Sequence, residues 1–139
     1  MGWGTRGDHP VRPKDGPEWF QQVWFCGCHS DVGGSYLEDE SRLSDIPLKW
    51  MLDAAISVGL KYDERVLKPY PDPTGMQHDE TRSLAFKWRP TIDRSIPVDA
   101  PLHESVLQRF KTKEVQLYDL FGPYRPEGLR KHNSTAEYY

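Results

Sequence analysis

The residue best suited to chemistry lies near the start of the chain, where His29 follows a run of strand-forming side chains. Histidine titrates near neutral pH, so a well-aimed imidazole can take a proton from a hydroxyl group and later return it. Open α/β sheets place such groups in loops beyond the carboxyl ends of their strands. His29 is therefore our candidate catalytic residue, as a general base; a loop histidine held by local hydrogen bonds is the alternative.

The neighbours of His29 supply few partners for a base. Ser30 is a poor nucleophile candidate, because the backbone sends adjacent side chains apart. Asp31 is better suited to cap a turn than to act as a triad acid. Gly33 and Gly34 permit a tight turn whose amides could face an anion. These four residues form what we call the site loop. The nucleophile motif Gly-x-Ser-x-Gly occurs nowhere in the chain.

Two cysteines raise the alternative of a metal site. Cys26 and Cys28 lie close to His29 and Asp31, and all four side chains are possible ligands. Zinc motifs normally place two or more residues between paired cysteines, whereas here there is one. Small side chains beside the end of a strand are the simpler interpretation. We expect no metal and no other cofactor.

The elements around the candidate base follow the order of half an α/β unit. Residues 19–26 are rich in strand-forming and apolar side chains, which predicts an interior parallel strand. Residues 28–36 are then expected to form a loop. Helical spacing predicts an amphipathic helix over residues 45–58, capped by Ser44 and closed by Gly59. Its predicted apolar face is Leu48, Met51, Leu52, Ala55 and Ile56.

The second half of the chain is less regular. Prolines and a glycine in residues 68–79 predict a surface excursion that leaves His78 in solvent. Residues 84–88 alternate in polarity and predict a short strand or an apolar strip. A second helix is expected over residues 100–111, with Asp99 as its cap.

One charged side chain on this second helix is Arg109. We expect it to pair on the surface with Glu104 or Glu114, because residues at helical spacing can reach each other. Its role would then be local.

Composition excludes several classes of protein. The chain has 139 residues, of which 37% are hydrophobic. These values fit one domain with a small hydrophobic core, or part of such a domain. A net charge of −3 gives no bias toward nucleic acid, despite a short basic tail that includes Arg125, Arg130, Lys131 and His132. No apolar run suits a transmembrane segment or a signal peptide, so we expect a cytoplasmic location in the producing cell.

The most specific part of the sequence is VWFCGCHSDVGGSY, followed by LSDIPLKWMLDAAISVGL. This stretch resembles the carboxyl-terminal part of the type VI secretion phospholipase effector catalytic domain. Shorter blocks further along follow the same order: residues 94–97, 102–109 and 124–129. The resemblance divides the chain into an irregular lead-in or linker, a hydrolase portion and a polar tail: residues 1–17, 18–130 and 131–139.

The resemblance implies an α/β fold, as the carboxyl-terminal fragment of an α/β-hydrolase-like sheet: the last strand, the histidine loop, the following helix, then a helical and irregular tail. It implies a serine esterase that cuts lipid esters, with His29 as the base of a Ser-His-acid triad. The order in this fold is Ser, acid, His, so the nucleophile and acid are expected upstream of residue 1. The chain alone is then expected to be inactive. Ser35 departs from the family, which usually carries a third glycine there.

The resemblance also implies partners. We expect an upstream hydrolase segment or an immunity-type protein as the protein partner, a lipid ester as the substrate, and no nucleic acid. Type VI secretion is the implied route out of the cell. The alternative function is a non-catalytic interaction module, or a degenerate remnant of the domain, that docks through surface tryptophans. The tryptophans considered are Trp19, Trp24, Trp50 and Trp88.

Overall fold

A computed structural model describes residues 21–82 and 94–139. In these two ranges the helices are α1 (His29–Gly33), α2 (Asp45–Ser57) and α3 (Glu104–Lys111). The strands are β1 (Val115–Leu117) and β2 (Leu120–Gly122), which pair as an antiparallel hairpin. Short 3-10 turns span Glu80–Arg82, Glu127–Leu129 and Ala136–Tyr138. Nowhere in the described ranges is a helix long and apolar enough to cross a membrane.

The helix predicted over residues 45–58 is confirmed as α2, but its buried side differs from the predicted one. Gly59 follows the helix with φ +101°, a conformation that glycine adopts without strain. Ile46 and Leu52 are buried, whereas Met51 is 59% exposed. The start of the helix is covered because the side chain of Asp45 accepts a hydrogen bond from the backbone N–H of Tyr70 at 2.8 Å. A periodic pattern defines an apolar stripe, but the neighbouring segments decide which part of it is covered.

The interior strand predicted over residues 19–26 is not a regular strand in its described part, residues 21–26. Trp24 makes a single parallel bridge to Leu102. Its N–H donates to the carbonyl of Pro101 at 2.8 Å, and its carbonyl accepts from the N–H of His103 at 2.9 Å. The described residues therefore mix helices and strands, but their regular strands are antiparallel and do not confirm an α/β-hydrolase sheet. Strand pairing depends on distant segments, which a local pattern does not specify.

Two further boundaries differ from the prediction. α1 lies inside residues 28–36, which we expected to be a loop, because the side chain of Asp31 caps the helix from within its first turn. α3 begins several residues later than predicted, because its cap is His103 and not Asp99. The ring Nδ1 of His103 accepts a hydrogen bond from the N–H of Ser105 at 3.2 Å. This nitrogen replaces the side-chain oxygen that usually caps the start of a helix.

The core lies between α3, the hairpin and the carboxyl-terminal turns. Its buried apolar side chains are Cys26, Val106, Phe110, Val115, Tyr124 and Leu129. The last residues of the chain join it, since Thr135 is buried and the ring of Tyr138 packs against Phe110. The strand or strip predicted over residues 84–88 lies outside the described residues, as do Trp19 and Trp88.

Candidate functional site

The site is built around Asp31, a carboxylate that is 2% exposed. One of its oxygens, Oδ2, accepts from the N–H of Cys28 at 3.0 Å and so closes the first turn of α1. Gly27 precedes this turn with φ +107°, and a Cβ added there would lie 2.4 Å from the Cβ of Asp31. Glycine is needed at this position for both reasons. The prediction that Asp31 hydrogen-bonds the loop backbone is confirmed.

The same carboxylate also binds a histidine from far along the chain. Asp31 Oδ1 lies 2.7 Å from the ring Nδ1 of His78, and Oδ2 accepts from the backbone N–H of His78 at 3.1 Å. The ring is stacked on Tyr36, with centroids 3.4 Å apart. His78 is buried, so the prediction that it lies in solvent is wrong. The prolines predicted an irregular segment at residues 68–79. The buried carboxylate of Asp31, far away in the sequence, accepts a hydrogen bond from the His78 side chain and keeps it inside the protein.

The segment that carries His78 is held by α3 and β1. The guanidinium of Arg109 donates to the carbonyls of Pro73 and Gly75 at 2.7 and 2.8 Å. Gln77 then pairs with β1, since its N–H donates to Gln116 and its carbonyl accepts from Tyr118. Residues 73–78 are therefore fixed against the core before the chain reaches the 3-10 turn at Glu80.

Arg109 itself is fully buried and does not make the predicted surface pair with Glu104 or Glu114. It also donates to the carbonyl of Gln116 at 3.2 Å and lies over the ring of Tyr124. Burial lowers the pKa of its guanidinium. Backbone carbonyls satisfy donors on both terminal nitrogens of the guanidinium, whereas its Nε is buried without a hydrogen-bond partner among the described residues.

His29 is the first residue of α1, and its side chain is 63% exposed. Its Nδ1 lies 2.6 Å from Oε2 of Glu80, whose side chain is only 18% exposed. Among the described residues, Glu80 is the partner bonded to the His29 ring, and most of the His29 side chain is exposed. The catalytic role of His29 remains a prediction; its ring is bound at Nδ1 and its side chain is mostly exposed, as a base that must reach a substrate requires.

Ser30, Gly33 and Gly34, the other members of the site loop, either have structural roles or do not contact the rings of His29 and His78. The carbonyl of Ser30 accepts from the N–H of Gly34 at 2.9 Å, and Gly34 ends α1 with φ +76°. Gly33 has open space around it. Among the contacts of the described residues, none joins the hydroxyl of Ser30 to His29 or His78.

A cleft of about 720 Å³ opens beside His29. The described residues that line it include the apolar side chains Val23, Trp24, Phe25, Val32, Ile96 and Leu102. The lining also includes the polar or charged side chains Gln22, Gln77, Arg94 and Glu127, so the cleft is of mixed polarity, with one exposed imidazole at its edge. Such clefts take small molecules whose bulk is apolar and whose polar part meets a few fixed groups.

Both cysteine thiols are held in their protonated form. Burial raises the pKa of Cys26 to about 11 and that of Cys28 to about 11, so both thiols stay protonated at neutral pH. In the part of the chain that the structure describes, no group of three or more His, Cys, Asp or Glu side chains could hold a metal ion. The metal alternative therefore gains no support from these residues.

A second serine and histidine pair occurs at the start of α3. Ser105 Oγ lies 2.9 Å from Nδ1 of His103, but the same nitrogen accepts the N–H of Ser105. Ser105 is buried. The pair is a helix cap, because a nucleophilic serine needs access to substrate and a base whose other nitrogen is bound by an acid.

The described tryptophans, and Arg125 and His132 of the basic tail, make contacts within the molecule, whereas Arg130 and Lys131 are exposed. Trp24 and Trp50 are half-buried, and Trp50 packs edge-on against Phe25. Arg125 donates to the carbonyls of Tyr138 and Phe110, and His132 is buried. The exposed apolar side chains of α2 are considered below.

Comparison with known proteins adds a partial match at the amino-terminal end. The family described as "T6SS, Phospholipase effector Tle1-like, catalytic domain" matches residues 2–54. The chain carries part of this domain's pattern. The matched range includes α1, the site loop and most of α2, whereas the downstream resemblance at residues 94–130 lies outside it and stays a prediction.

A curated relative is similar over a short stretch. The uncharacterized protein YEL023C of Saccharomyces cerevisiae is 48% identical over 44 residues, which are 30% of this chain and 6% of the yeast protein. The chain therefore spans a small fraction of that relative. No solved structure matches.

The sequence pattern led to His29 and the site loop but missed Glu80 and the buried position of His78. Both missed residues follow the Pro-rich segment, in a stretch with no helical or alternating period. Their contacts join positions far apart in the chain, such as 31 and 78. No local signal in the sequence could have found them.

Proposed function

We propose that this chain supplies the histidine part of a lipid-ester hydrolase site, with His29 as its general base. The observation that carries the proposal is the position of His29: inside the matched range of the phospholipase effector domain, at the edge of a partly apolar cleft, and bound at Nδ1. An exposed imidazole with one nitrogen bound and one open is the arrangement that a serine hydrolase needs.

The chemistry follows from that arrangement. The open Nε2 of His29 would take the proton of a serine hydroxyl as its oxygen attacks the ester carbonyl. The imidazolium would return the proton to the leaving alcohol, which leaves an acyl group on the serine. His29 would then activate water in the same way to release the fatty acid.

The serine must come from another segment, either of a longer chain or of a second protein. Ser30 is not bonded to His29 among the described contacts, and Ser105 is buried in a helix cap. The oxyanion donors would come with that serine, because they lie beside it in α/β-hydrolases. We therefore expect no ester hydrolysis by residues 1–139 alone.

Reconstitution tests this proposal. The chain is assayed alone and with a serine-bearing segment from upstream in the same gene or operon, on a short-chain chromogenic ester and on phospholipid vesicles. Activity is expected in the mixture only, and His29→Ala should lower it by about a thousandfold or more. Lys61→Ala, at an exposed residue after α2, should leave it unchanged.

Two outcomes would overturn the proposal. One is a mixture in which His29→Ala retains full activity. The other is an inactive mixture in which size-exclusion chromatography shows that the two segments form a folded complex.

The second candidate, a non-catalytic interaction module, is favoured by one observation. α2 exposes three apolar side chains at helical spacing: Leu48, Met51 and Ile56. Such a face suits contact with another protein segment. An inactive complex that Met51→Glu dissociates, and that Lys49→Glu on the same helix does not, would support this candidate over the hydrolase.

A further inference from the structure

We propose that Glu80 positions His29 for proton transfer, so that this chain holds both the base and the carboxylate that orients it. The inference rests on the proposed function of His29. It differs from the order expected for an α/β-hydrolase, in which the acid precedes the histidine, because Glu80 lies after His29 in the chain. Only the serine and the oxyanion donors would then have to come from elsewhere.

The geometry of the pair fits this role. Glu80 Oε2 lies 2.6 Å from Nδ1 of His29, which is the distance of a strong hydrogen bond. A carboxylate at Nδ1 keeps the ring proton on that nitrogen and leaves Nε2 free to accept a proton. The acid also stabilises the imidazolium that forms during the reaction.

Glu80 is held in place by the core rather than by its own turn alone. Its side chain is only 18% exposed, which is low for a carboxylate on a short 3-10 turn. The preceding residues are anchored by Arg109 through Pro73 and Gly75, and by His78 through Asp31. A fixed backbone limits the positions that the Glu80 carboxylate can take, which is what a positioning residue needs.

The other nearby carboxylates are engaged elsewhere. Asp31 binds His78 and Cys28, and Glu40 lies 3.8 Å from the far ring nitrogen of His78. Asp79 accepts from the backbone and hydroxyl of Thr81 and so shapes the turn. Among the described residues, Glu80 is the carboxylate that contacts the ring of His29.

The first arm of the test needs no activity. Nitrogen-15 NMR of the chain alone reports which ring nitrogen of neutral His29 carries the proton. We expect the Nδ1–H form in the wild type and a shift toward the Nε2–H form, which dominates in free neutral histidine, in Glu80→Ala. Glu64→Ala, at an exposed glutamate outside the site, should leave the His29 signals unchanged. Unchanged ring signals of His78 and His132 would show that Glu80→Ala remains folded.

The second arm uses the reconstituted mixture. Glu80→Gln removes the charge and is expected to lower kcat by a hundredfold or more with little change in KM, since the wrong tautomer then becomes accessible. Glu80→Asp, which keeps the charge, should retain more activity than Glu80→Gln.

The two arms separate this inference from the proposed function. An Nε2–H ring in the wild type, or a ring that does not respond to Glu80→Ala, would overturn the role of Glu80 whatever the activity. An inactive wild-type mixture together with the expected NMR result would overturn the hydrolase function and leave the His29–Glu80 pair standing. An active mixture in which Glu80→Gln keeps the full kcat would overturn the role of Glu80 alone.

Discussion

His78 Nδ1 lies 2.7 Å from Asp31 Oδ1, and 47 positions of sequence separate the two residues. The bond is buried, because the side chains are 8% and 1% exposed. It ties the first turn of α1 to the segment that ends at Glu80. The pair of exposed His29 and mostly buried Glu80 lies next to it in the chain, so the buried pair helps to fix the geometry of the candidate site.

Removing the Asp31 carboxylate should destabilise the fold strongly. Asp31→Ala leaves three donors without an acceptor: the N–H of Cys28, the N–H of His78 and the His78 ring. A buried unsatisfied group costs about 1–3 kcal/mol, so we expect the free energy of unfolding to fall by about 3 kcal/mol or more. Urea denaturation measures it. The control is Asp53→Ala on the exposed side of α2, which should change little. Equal urea midpoints of unfolding for Asp31→Ala and Asp53→Ala would contradict the buried hydrogen bonds of Asp31.

The two glycines at either end of α1 should respond in opposite ways. Gly27→Ala places a Cβ against the side chain of Asp31 in a left-handed backbone conformation, and we expect a loss of about 2 kcal/mol or more. Gly33→Ala meets open space inside the helix and should be neutral or slightly stabilising. Thermal unfolding of the two variants side by side tests this. A Gly27→Ala protein as stable as Gly33→Ala would show that the turn before α1 is wrong.

Arg109 should act as a structural anchor. Arg109→Met removes hydrogen bonds to the carbonyls of Pro73, Gly75 and Gln116, and bonds to a charged group contribute about 1.5–3 kcal/mol each. We expect the variant to lose at least about 3 kcal/mol, and hydrogen exchange to rise in residues 73–78. The same substitution at the exposed Arg65 should leave stability unchanged. If exchange in residues 73–78 stays slow in Arg109→Met, other contacts hold this segment.

The cap of α3 should make stability depend on pH. Burial lowers the pKa of His103 below its ordinary 6.5, so the unfolded chain binds a proton there before the folded chain does. The contribution of His103 is therefore complete above pH 6.5 and is lost as the pH falls through the range below it. The physical reason is that a protonated Nδ1 cannot accept from the N–H of Ser105.

A variant that caps without titrating isolates this effect. His103→Asn keeps a side-chain acceptor at the cap. We expect the Tm of the wild type to fall more steeply than that of His103→Asn between pH 7 and pH 5. Parallel Tm profiles would mean that the cap does not titrate in this range. The other histidines are present in both proteins, so their contributions cancel in the difference.

Part of this molecule could be predicted from local patterns. Helical spacing and Gly59 correctly predicted α2, and the stretch around His29 predicted the family pattern that matches residues 2–54. The hydrogen bond that Asp31 accepts from the loop backbone was also expected from residue type alone. These successes share a cause, because turns and the position of a helix along the chain are determined by residues within a few positions of each other.

Other features depend on pairs that are distant in the chain. The amino-acid sequence by itself determined where α2 forms and which histidine lies in the site loop region, because both depend on residues close together in the chain. Only the tertiary structure decided that Trp24 pairs with Leu102, that Arg109 is buried, and that His78 and Glu80 come to α1. The physical reason is that a buried polar group takes whichever partner the packed core brings within hydrogen-bond distance, and that choice is made across the whole fold.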